Sequence, residues 1–202
     1  MTDSITSDGL TQFIEQDLGG VHHRFKRGYK NVINESKRLN QSGQPSWVAI
    51  ETSGHAAMKE NHFLDDGAYL VSKLLIELAK SRLAGKRLTD LIANLQEPVE
   101  SKEIRIKIVA DDFQSVGHQV IAQMQIFAAS QPDWTIVPNN YEGVRVSCGS
   151  DREDGWFLLR LSLHDPVIPV NIESNRSDGV DYIQERLRSF LNTQASLDLT
   201  GL

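Results

Sequence analysis

The feature that most constrains the fold is a short apolar run, Trp47-Val48-Ala49-Ile50, which is bounded by turn-forming and polar residues. A continuous apolar run of this length is typical of a strand in a sheet that is covered on both faces. The later segment 66–84 has apolar residues at helical spacing. A strand followed by a helix predicts an α/β layer, in which ligands bind beyond the carboxyl ends of the strands. We therefore expect the polar residues directly after Ile50 to lie at such a binding edge.

The pattern changes near residue 100, after the segment 96–102, which resembles an interdomain connection. Beyond it, Ile104, Ile106 and Ile108 alternate with basic residues, as in a half-exposed strand. Further strands are predicted at 135–137, 143–148, 156–163 and 167–173, with helices after Asp112 and near Asp178. We therefore predict two domains, an α/β partial domain at 1–100 and an α+β domain at 101–202 with an antiparallel sheet flanked by helices.

Composition excludes several classes of protein. The formal net charge of −6 and the pI near 5.5 disfavour binding to nucleic acid, which needs a basic face. The only cysteine, Cys148, excludes an intrachain disulfide. The N-terminus lacks the basic start and apolar run of a signal peptide, and the longest apolar segment, 68–79, is too short and too polar to span a bilayer. We expect a cytoplasmic protein with neither nucleic acid nor membrane as a partner.

The first candidate site is the polar segment that follows the apolar run. Glu51, Ser53 and His55 alternate, so in an extended segment they would point to one side, interrupted by the turn that Gly54 permits. A carboxylate and a hydroxyl are suitable partners for vicinal sugar hydroxyls, and histidine can donate, accept or carry a proton. A structural interpretation stays open, in which Glu51 caps the following helix and His55 packs against that helix.

The second candidate site is the segment 160–166, which interrupts two predicted strands. Arg160, Ser162 and His164 supply a guanidinium, a hydroxyl and an imidazole, which together with loop N–H groups suit a phosphate dianion. Each charge-assisted bond of this kind contributes roughly 1.5–3 kcal/mol. The alternative is a hairpin turn in which Arg160 pairs with a nearby acid, such as Glu142 or Glu173.

Other chemical interpretations have weaker support. His55, His62 and Asp65 lack the helical spacing of a known zinc motif, and Asp66 is better explained as the N-cap of the next helix, so we expect no metal site. Cys148 lies inside a predicted strand and is expected to be a buried structural thiol.

The basic cluster at 22–30 has two interpretations. It is either a solvated face or a loop that faces an anion, with Lys30 reaching an acidic ligand.

Taken together, five stretches resemble the α-D-phosphohexomutases, the superfamily of phosphoglucomutase and phosphomannomutase. All five occur in the order found in that family, and the resemblance covers nearly the whole chain. The stretches are Gly28-Tyr29-Lys30-Asn31-Val32-Ile33, Glu51-Thr52-Ser53-Gly54-His55, Phe63-Leu64-Asp65-Asp66-Gly67-Ala68-Tyr69, Glu142-Gly143-Val144-Arg145 and Arg160-Leu161-Ser162.

The resemblance implies roles for individual residues. In the family's third domain the Glu-x-Ser-Gly-His loop binds sugar hydroxyls, which implies Glu51 and Ser53 here. The histidine of that loop and the lysine of the Gly-x-Lys segment act near the reacting sugar in proton transfer or charge stabilisation, which implies His55 and Lys30.

The family's fourth domain implies the remaining binding residues. Its Arg-x-Ser loop holds the phosphate that is not transferred, which implies Arg160 and Ser162. Leu163 and His164 depart from the usual residues of that loop, and His164 would replace a threonine hydroxyl with an imidazole donor.

The resemblance also implies what the chain does not contain. The family's phosphoserine loop and its Asp-rich magnesium loop belong to the first two domains, and neither occurs in these residues. The chain therefore resembles a C-terminal fragment, part of domain 3 followed by domain 4, of an enzyme that interconverts hexose 1-phosphates and 6-phosphates with Mg2+. We expect the fragment alone to bind no cofactor, to be inactive, and to have the missing N-terminal domains and a hexose phosphate as partners.

Two alternatives to this fragment remain open. One is a stand-alone module that binds a phosphosugar or a protein without catalysis. The other is a metal hydrolase that uses His55, His62 and Asp65, which would require tightly bound divalent metal. The sequence does not distinguish between glucose, mannose and glucosamine phosphates, because Glu-x-Ser contacts hydroxyls that several hexoses share.

Overall fold

The structure is a computed structural model that describes residues 1–200. The chain divides into two compact units, unit 1 at Met1–Gln96 and unit 2 from Glu97 onward. Within the described residues, no helix has the length and apolar character needed to cross a membrane.

Unit 1 contains short strands and three α-helices, with a π-helical segment at Phe13–Asp17 directly after the first helix. Two 3-10 segments, Lys59–Asn61 and Leu88–Ile92, complete it. The strands and α-helices in chain order are β1 (Thr2–Asp3), α1 (Asp8–Gln12), β2 (Arg24–Phe25), α2 (Tyr29–Gln41), β3 (Val48–Ile50), β4 (Ala56–Met58) and α3 (Gly67–Leu83).

The sheet of unit 1 is mixed, with the strand order β2-β1-β3-β4. Strand β1 pairs in parallel with β2 and β3, and β4 pairs antiparallel with β3. The carboxyl ends of three parallel strands therefore meet at one edge, which is where the predicted site begins. Helix α2 covers one face of this sheet through a small core composed of Val32, Ile33, Ala49, Ala57 and Phe63.

The opposite face of the sheet is less covered than the apolar run predicts. Val48 and Ile50 are only half-buried, whereas Ala49 between them is fully buried. Since neighbouring side chains of a strand point to opposite faces, α2 buries the Ala49 face, and the Val48 face stays partly open.

The helix starts of unit 1 follow local capping rules. The carboxylate of Asp66 accepts a hydrogen bond of 2.9 Å from the Tyr69 N–H, which confirms Asp66 as the N-cap of α3. Gly28 precedes α2 with a φ of 107°, a value that favours glycine. The segment Leu88–Ile92 is a 3-10 helix that begins after Arg87, because the Asp90 carboxylate accepts the Arg87 N–H.

Unit 2 is an α+β unit built on a six-stranded antiparallel sheet in the order β10-β5-β9-β8-β7-β6. Its elements in chain order are β5 (Glu100–Ile108), α4 (Phe113–Ala129), β6 (Trp134–Ile136), β7 (Val144–Cys148), β8 (Gly155–Leu159), β9 (Val167–Ser174), α5 (Gly179–Leu191) and β10 (Leu197–Asp198). The mixed sheet with helices in unit 1 and the antiparallel sheet with helices in unit 2 confirm the predicted fold class.

The core of unit 2 is much larger than that of unit 1 and joins the sheet to both helices. Helix α4 contributes Val120 and Met124, and α5 contributes Ile183 and Leu187, all of them fully or almost fully buried. The carboxylate of Asp112 accepts the Ser115 N–H at 3.0 Å and caps α4, which begins directly after Asp112 as predicted. This core supports the two central strands, β8 and β9, that carry the second candidate site.

Strand β8 ends at Leu159, earlier than the predicted end at residue 163. The backbone pairing continues for two more bonds, from the Arg160 N–H to the Pro169 carbonyl and from the Ser162 N–H to the Val167 carbonyl, both at 3.1 Å. Arg160 therefore stands at the base of a tight loop rather than inside a regular strand.

Candidate functional site

The Glu51–His55 segment forms a tight turn between β3 and β4. The Gly54 N–H donates to the Glu51 carbonyl, and the Glu51 N–H donates to the His55 carbonyl, both at 2.9 Å. Gly54 adopts a φ of 94°, which an L-residue rarely adopts, so the turn requires glycine. The turn lies at the carboxyl end of β3, as the sequence predicts.

The Glu51 carboxylate is buried, with 8% of the residue exposed. Its Oε1 accepts the Gly28 N–H and its Oε2 accepts the Ser53 hydroxyl, each at 2.8 Å. The carboxylate thus binds the residue that precedes α2, and the alternative in which it caps the following helix is wrong. An ionised carboxylate offers about four lone-pair sites, so acceptor capacity remains for a ligand.

Asp3, at the carboxyl end of β1, supports the turn through hydrogen bonds with Thr52. It was not identified as a site residue from the sequence. It is fully buried, and its Oδ2 accepts the Thr52 hydroxyl at 2.6 Å and the Thr52 N–H at 3.4 Å. Burial raises the pKa of Asp3 above its ordinary value, although the bonds from Thr52 and the charge of Arg27 oppose this effect. Knowing that β1 pairs in parallel with β3 would have placed Asp3 beside the turn. A strand of two residues, however, gives too little pattern to be predicted from sequence.

His55 is held by two neighbours from different segments. Its Nδ1 lies 2.8 Å from the Asp65 carboxylate, and its ring stacks on Tyr29 with centroids 4.9 Å apart. Because an ionised carboxylate can only accept, Nδ1 carries the proton of that bond and the neutral ring keeps a lone pair on Nε2. Asp65 therefore contacts a candidate site residue, whereas its neighbour Asp66 caps α3.

Lys30 reaches the same group of residues through Tyr29. Its Nζ lies 5.8 Å from the centroid of the Tyr29 ring, and both residues are exposed at the start of α2. Unit 1 therefore brings Lys30, Glu51, Ser53 and His55 to one edge of its sheet. The cluster combines an acceptor, a hydroxyl, an imidazole and an ammonium group.

The second candidate site depends on close packing at two glycines of unit 2. A Cβ at Gly143, where φ is 59°, would contact the Leu159 carbonyl and lie 2.7 Å from the Arg160 Cα. A Cβ at Gly117 in α4 would collide with the Leu161 side chain. Both glycines let neighbouring backbone or side chains approach the loop closely, which fixes its base.

The polar side chains of this loop differ in exposure. Arg160 is buried, with 9% exposed, whereas Ser162 is half-buried and His164 is exposed at the tip. The Ser162 Oγ accepts the Asp165 N–H at 3.3 Å, and Arg105 lies 3.9 Å from the Asp165 carboxylate. Arg160, Ser162 and His164 thus belong to one short loop, with the guanidinium at its base and the imidazole at its tip.

Metal and thiol chemistry have no support from the side chains. Among residues 1–200, no three His, Cys, Asp or Glu side chains lie close enough together to hold a cation. Burial raises the pKa of the Cys148 thiol well above its ordinary value, so this cysteine stays protonated and unreactive.

Comparison with known proteins identifies the first unit. Residues 1–99 match the family model of the phosphoglucomutase/phosphomannomutase α/β/α domain III. A phosphomannomutase/phosphoglucomutase from Pseudomonas putida is 30% identical over 184 residues, which is 90% of this chain and 35% of that protein. A phosphoglucomutase from Neisseria gonorrhoeae is 28% identical over 183 residues, which is 90% of this chain and 36% of that protein.

Solved structures extend the likeness to both units. A phosphoglucomutase/phosphomannomutase family protein from Burkholderia thailandensis superposes with a TM-score of 0.71 at 24% identity, over 96% of this chain and 37% of the other. An N-acetylphosphoglucosamine mutase from Aspergillus fumigatus, solved with GlcNAc-6P and magnesium, gives 0.56 at 12% identity, over 96% and 38%. The chain thus spans little more than a third of these relatives. By these matches it belongs to the phosphoglucomutase/phosphomannomutase family of the α-D-phosphohexomutases.

Proposed function

We propose that the chain is the substrate-positioning part of a phosphohexomutase that interconverts hexose 1-phosphate and hexose 6-phosphate. The observation that carries this proposal is the fixed Glu51 carboxylate at the carboxyl edge of three parallel strands. Membership of the family and the second polar loop at Arg160 support it. Phosphoryl transfer depends mainly on positioning and charge stabilisation, and positioning is what these residues offer.

In this proposal the unit 1 cluster binds the sugar. Glu51 accepts hydrogen bonds from sugar hydroxyls through its remaining lone pairs, and Ser53 contributes a hydroxyl beside it. Because Gly28 and Ser53 already fix the orientation of the carboxylate, a sugar meets a preorganised acceptor.

His55 and Lys30 act on charge and protons at the reacting oxygen. The bond from Nδ1 to Asp65 orients the ring and leaves Nε2 able to take a proton from a sugar hydroxyl. Lys30 stabilises negative charge that develops on the phosphoryl oxygens during transfer. Asp65 acts through His55 and is a positioning residue.

The unit 2 loop holds the phosphate that is not transferred. Arg160 supplies charge-assisted bonds in a fork that suits phosphate oxygens, and Ser162 and His164 add donors from the same loop. Only two residues separate Ser162 from Asp165, whose N–H donates to the Ser162 hydroxyl, so the loop is a tight turn. Backbone N–H groups of such a turn can also face the anion.

The remaining parts of the reaction lie outside these residues. The phosphoserine and the magnesium that the family implies would be supplied by domains that this chain does not span, since it covers 36% of the Neisseria gonorrhoeae relative. The partners in this proposal are those N-terminal domains and a hexose phosphate, in the cytoplasm. The isolated chain then binds its ligand weakly and does not catalyse the interconversion.

Calorimetric titration of the 202-residue chain with glucose 1-phosphate and mannose 1-phosphate tests the binding role. Arg160→Ala should abolish the heat of binding, whereas Arg152→Ala, an exposed arginine in the same unit, should leave it unchanged. Equal binding by wild type and Arg160→Ala would show that the phosphate loop is assigned wrongly. Measurable interconversion of the 1- and 6-phosphates by the isolated chain would overturn the proposal that this chain positions the substrate but does not catalyse the reaction.

A further inference from the structure

The proposed function leaves the apolar face of α3 without a role. Val71, Leu74 and Leu75 are 53%, 48% and 59% exposed, and Leu83 is 91% exposed. The one residue that α3 buries is Ser81. A helix that buries a serine while Leu74, Leu75 and Leu83 are exposed departs from the pattern of a surface helix, whose apolar side faces the core.

The charged side of α3 already has partners within the chain. The Lys73 Nζ lies 2.9 Å from Glu60, in the 3-10 segment before the helix, and the Lys80 Nζ lies 3.3 Å from Glu77. Only the Lys73–Glu60 pair joins α3 to another segment of unit 1, because Glu77 belongs to α3 itself. With these lysines paired, the surface does not favour an anionic partner such as nucleic acid or a lipid headgroup.

Four aliphatic residues of α3 have the spacing of a helix-packing surface. They recur at i, i+3, i+4 and i+7, which places them in one stripe that another helix can pack against. We name this surface the α3 stripe. Its residues are Val71, Leu74 and Leu75, which are exposed, and Leu78, which is half-buried.

The sheet of unit 1 also lacks a full helical layer on one side. The matched family model describes an α/β/α domain, in which helices cover both faces of the sheet. Here α2 covers the face of Ala49 and Ala57. On the opposite face Ala56 is buried, but Val48, Ile50 and Met58 are only half-buried.

We propose that the α3 stripe packs against an amphipathic helix in the part of a phosphohexomutase that this chain does not span. The inference rests on the proposed function, because it takes the chain as part of such an enzyme. Nearly two thirds of the Neisseria gonorrhoeae relative lies outside the matched region, so ample polypeptide exists to supply this helix. The stripe is then the surface through which the positioning part joins the rest of the enzyme.

A chimera tests this proposal directly. This chain would replace the matching 184-residue region of the Pseudomonas putida relative, and melting temperatures would be measured for the chimera and for the isolated chain. Leu75→Arg should lower the melting temperature of the chimera by several degrees, because a charge would be buried in a helix contact. The same change should leave the isolated chain unaffected. Ile126→Arg, at a 74% exposed position of α4, is the matched control and should affect neither protein.

Three outcomes would overturn the proposal. These are an insoluble chimera, a chimera that tolerates Leu75→Arg, and an isolated chain that Leu75→Arg destabilises equally. Sedimentation of the isolated chain adds a fourth, since a homodimer that Leu75→Arg dissociates would assign the stripe to a second copy. Hexose phosphate binding through Arg160 is measured separately by calorimetry. If one of these outcomes occurs while that binding persists, this inference fails and the proposed function stands.

Discussion

The two candidate loops are held in place by different kinds of contact. Side-chain hydrogen bonds fix the Glu51–His55 loop, through Asp3, Gly28 and Asp65. Backbone hydrogen bonds close the base of both loops, but the loop after Arg160 extends from β8 and β9, which rest on a core several times larger. The difference shows that a unit with a small core can still hold a loop in place, when hydrogen bonds from polar side chains contribute to holding it.

The largest expected effect is on the apolar residues that support the loop after Arg160. Leu159 is fully buried directly before Arg160, so Leu159→Ala should lower the free energy of unfolding of unit 2 by about 2–5 kcal/mol. Leu163, in the same loop, is 73% exposed, and Leu163→Ala should change it by less than about 0.5 kcal/mol. Urea unfolding curves compare the two variants. An equal loss of unfolding free energy in both would show that the buried Leu159 does not support the loop.

A smaller effect is expected from the hydrogen bonds that support the Glu51–His55 loop. Glu51→Ala removes the acceptor for the Gly28 N–H and for the Ser53 hydroxyl, and should destabilise unit 1 by about 1–3 kcal/mol. Ser53→Ala removes one exposed hydroxyl and should cost less than Glu51→Ala. Hydrogen exchange of the Gly28 amide provides the local readout, and unchanged protection in Glu51→Ala would refute this role.

Asp3, which holds Thr52 in the Glu51–His55 loop, should make the stability of unit 1 depend on pH. Its pKa is raised in the folded state, so the folded protein binds more protons than the unfolded chain as the pH rises from the ordinary value of 3.8 to the raised value. The free energy of unfolding should therefore fall across this pH window and stay at the lower value at higher pH. In Asp3→Asn the fall should be absent, as measured by thermal unfolding between pH 4 and neutrality. A fall of the same size in the variant would assign it to another group.

The smallest expected effect concerns the tautomer of His55. Asp65 accepts from Nδ1 at a half-exposed position, so Asp65→Asn should increase the fraction of neutral rings that carry the proton on Nε2. Nitrogen-15 NMR of the ring measures this fraction, with the fold otherwise unchanged. His118, whose Nδ1 bonds a backbone carbonyl in unit 2, is the internal control. An unaltered His55 tautomer would show that Asp65 does not position the ring.

The sequence predicted the parts of this molecule that depend on local pattern. The alternation at Ile104–Ile108 and the caps at Asp66 and Asp112 are readable because period and capping chemistry act over a few residues. The predicted turn after β3 is also local, since Gly54 permits it.

The contacts that complete the sites were not readable from local pattern. Asp3 lies 49 residues before its partner Thr52, and Asp65 lies ten residues after His55 in a segment that reads as a helix start. Such pairs form only because β1, β3 and β4 are neighbours in the sheet, and strands of two or three residues give little periodic signal. The open apolar side of α3 was likewise hidden, because a helical stripe does not reveal what covers it.

The most direct test of the central claim, that the two loops bind the sugar and the phosphate of one ligand type, is an NMR titration of amide resonances. Glucose 1-phosphate should shift the amides of residues 51–55 and 160–164, and inorganic phosphate should shift only those of 160–164. Arg160→Ala should remove the response of 160–164 to both ligands. Absence of shifts at both loops, or an unchanged response in Arg160→Ala, would contradict the account.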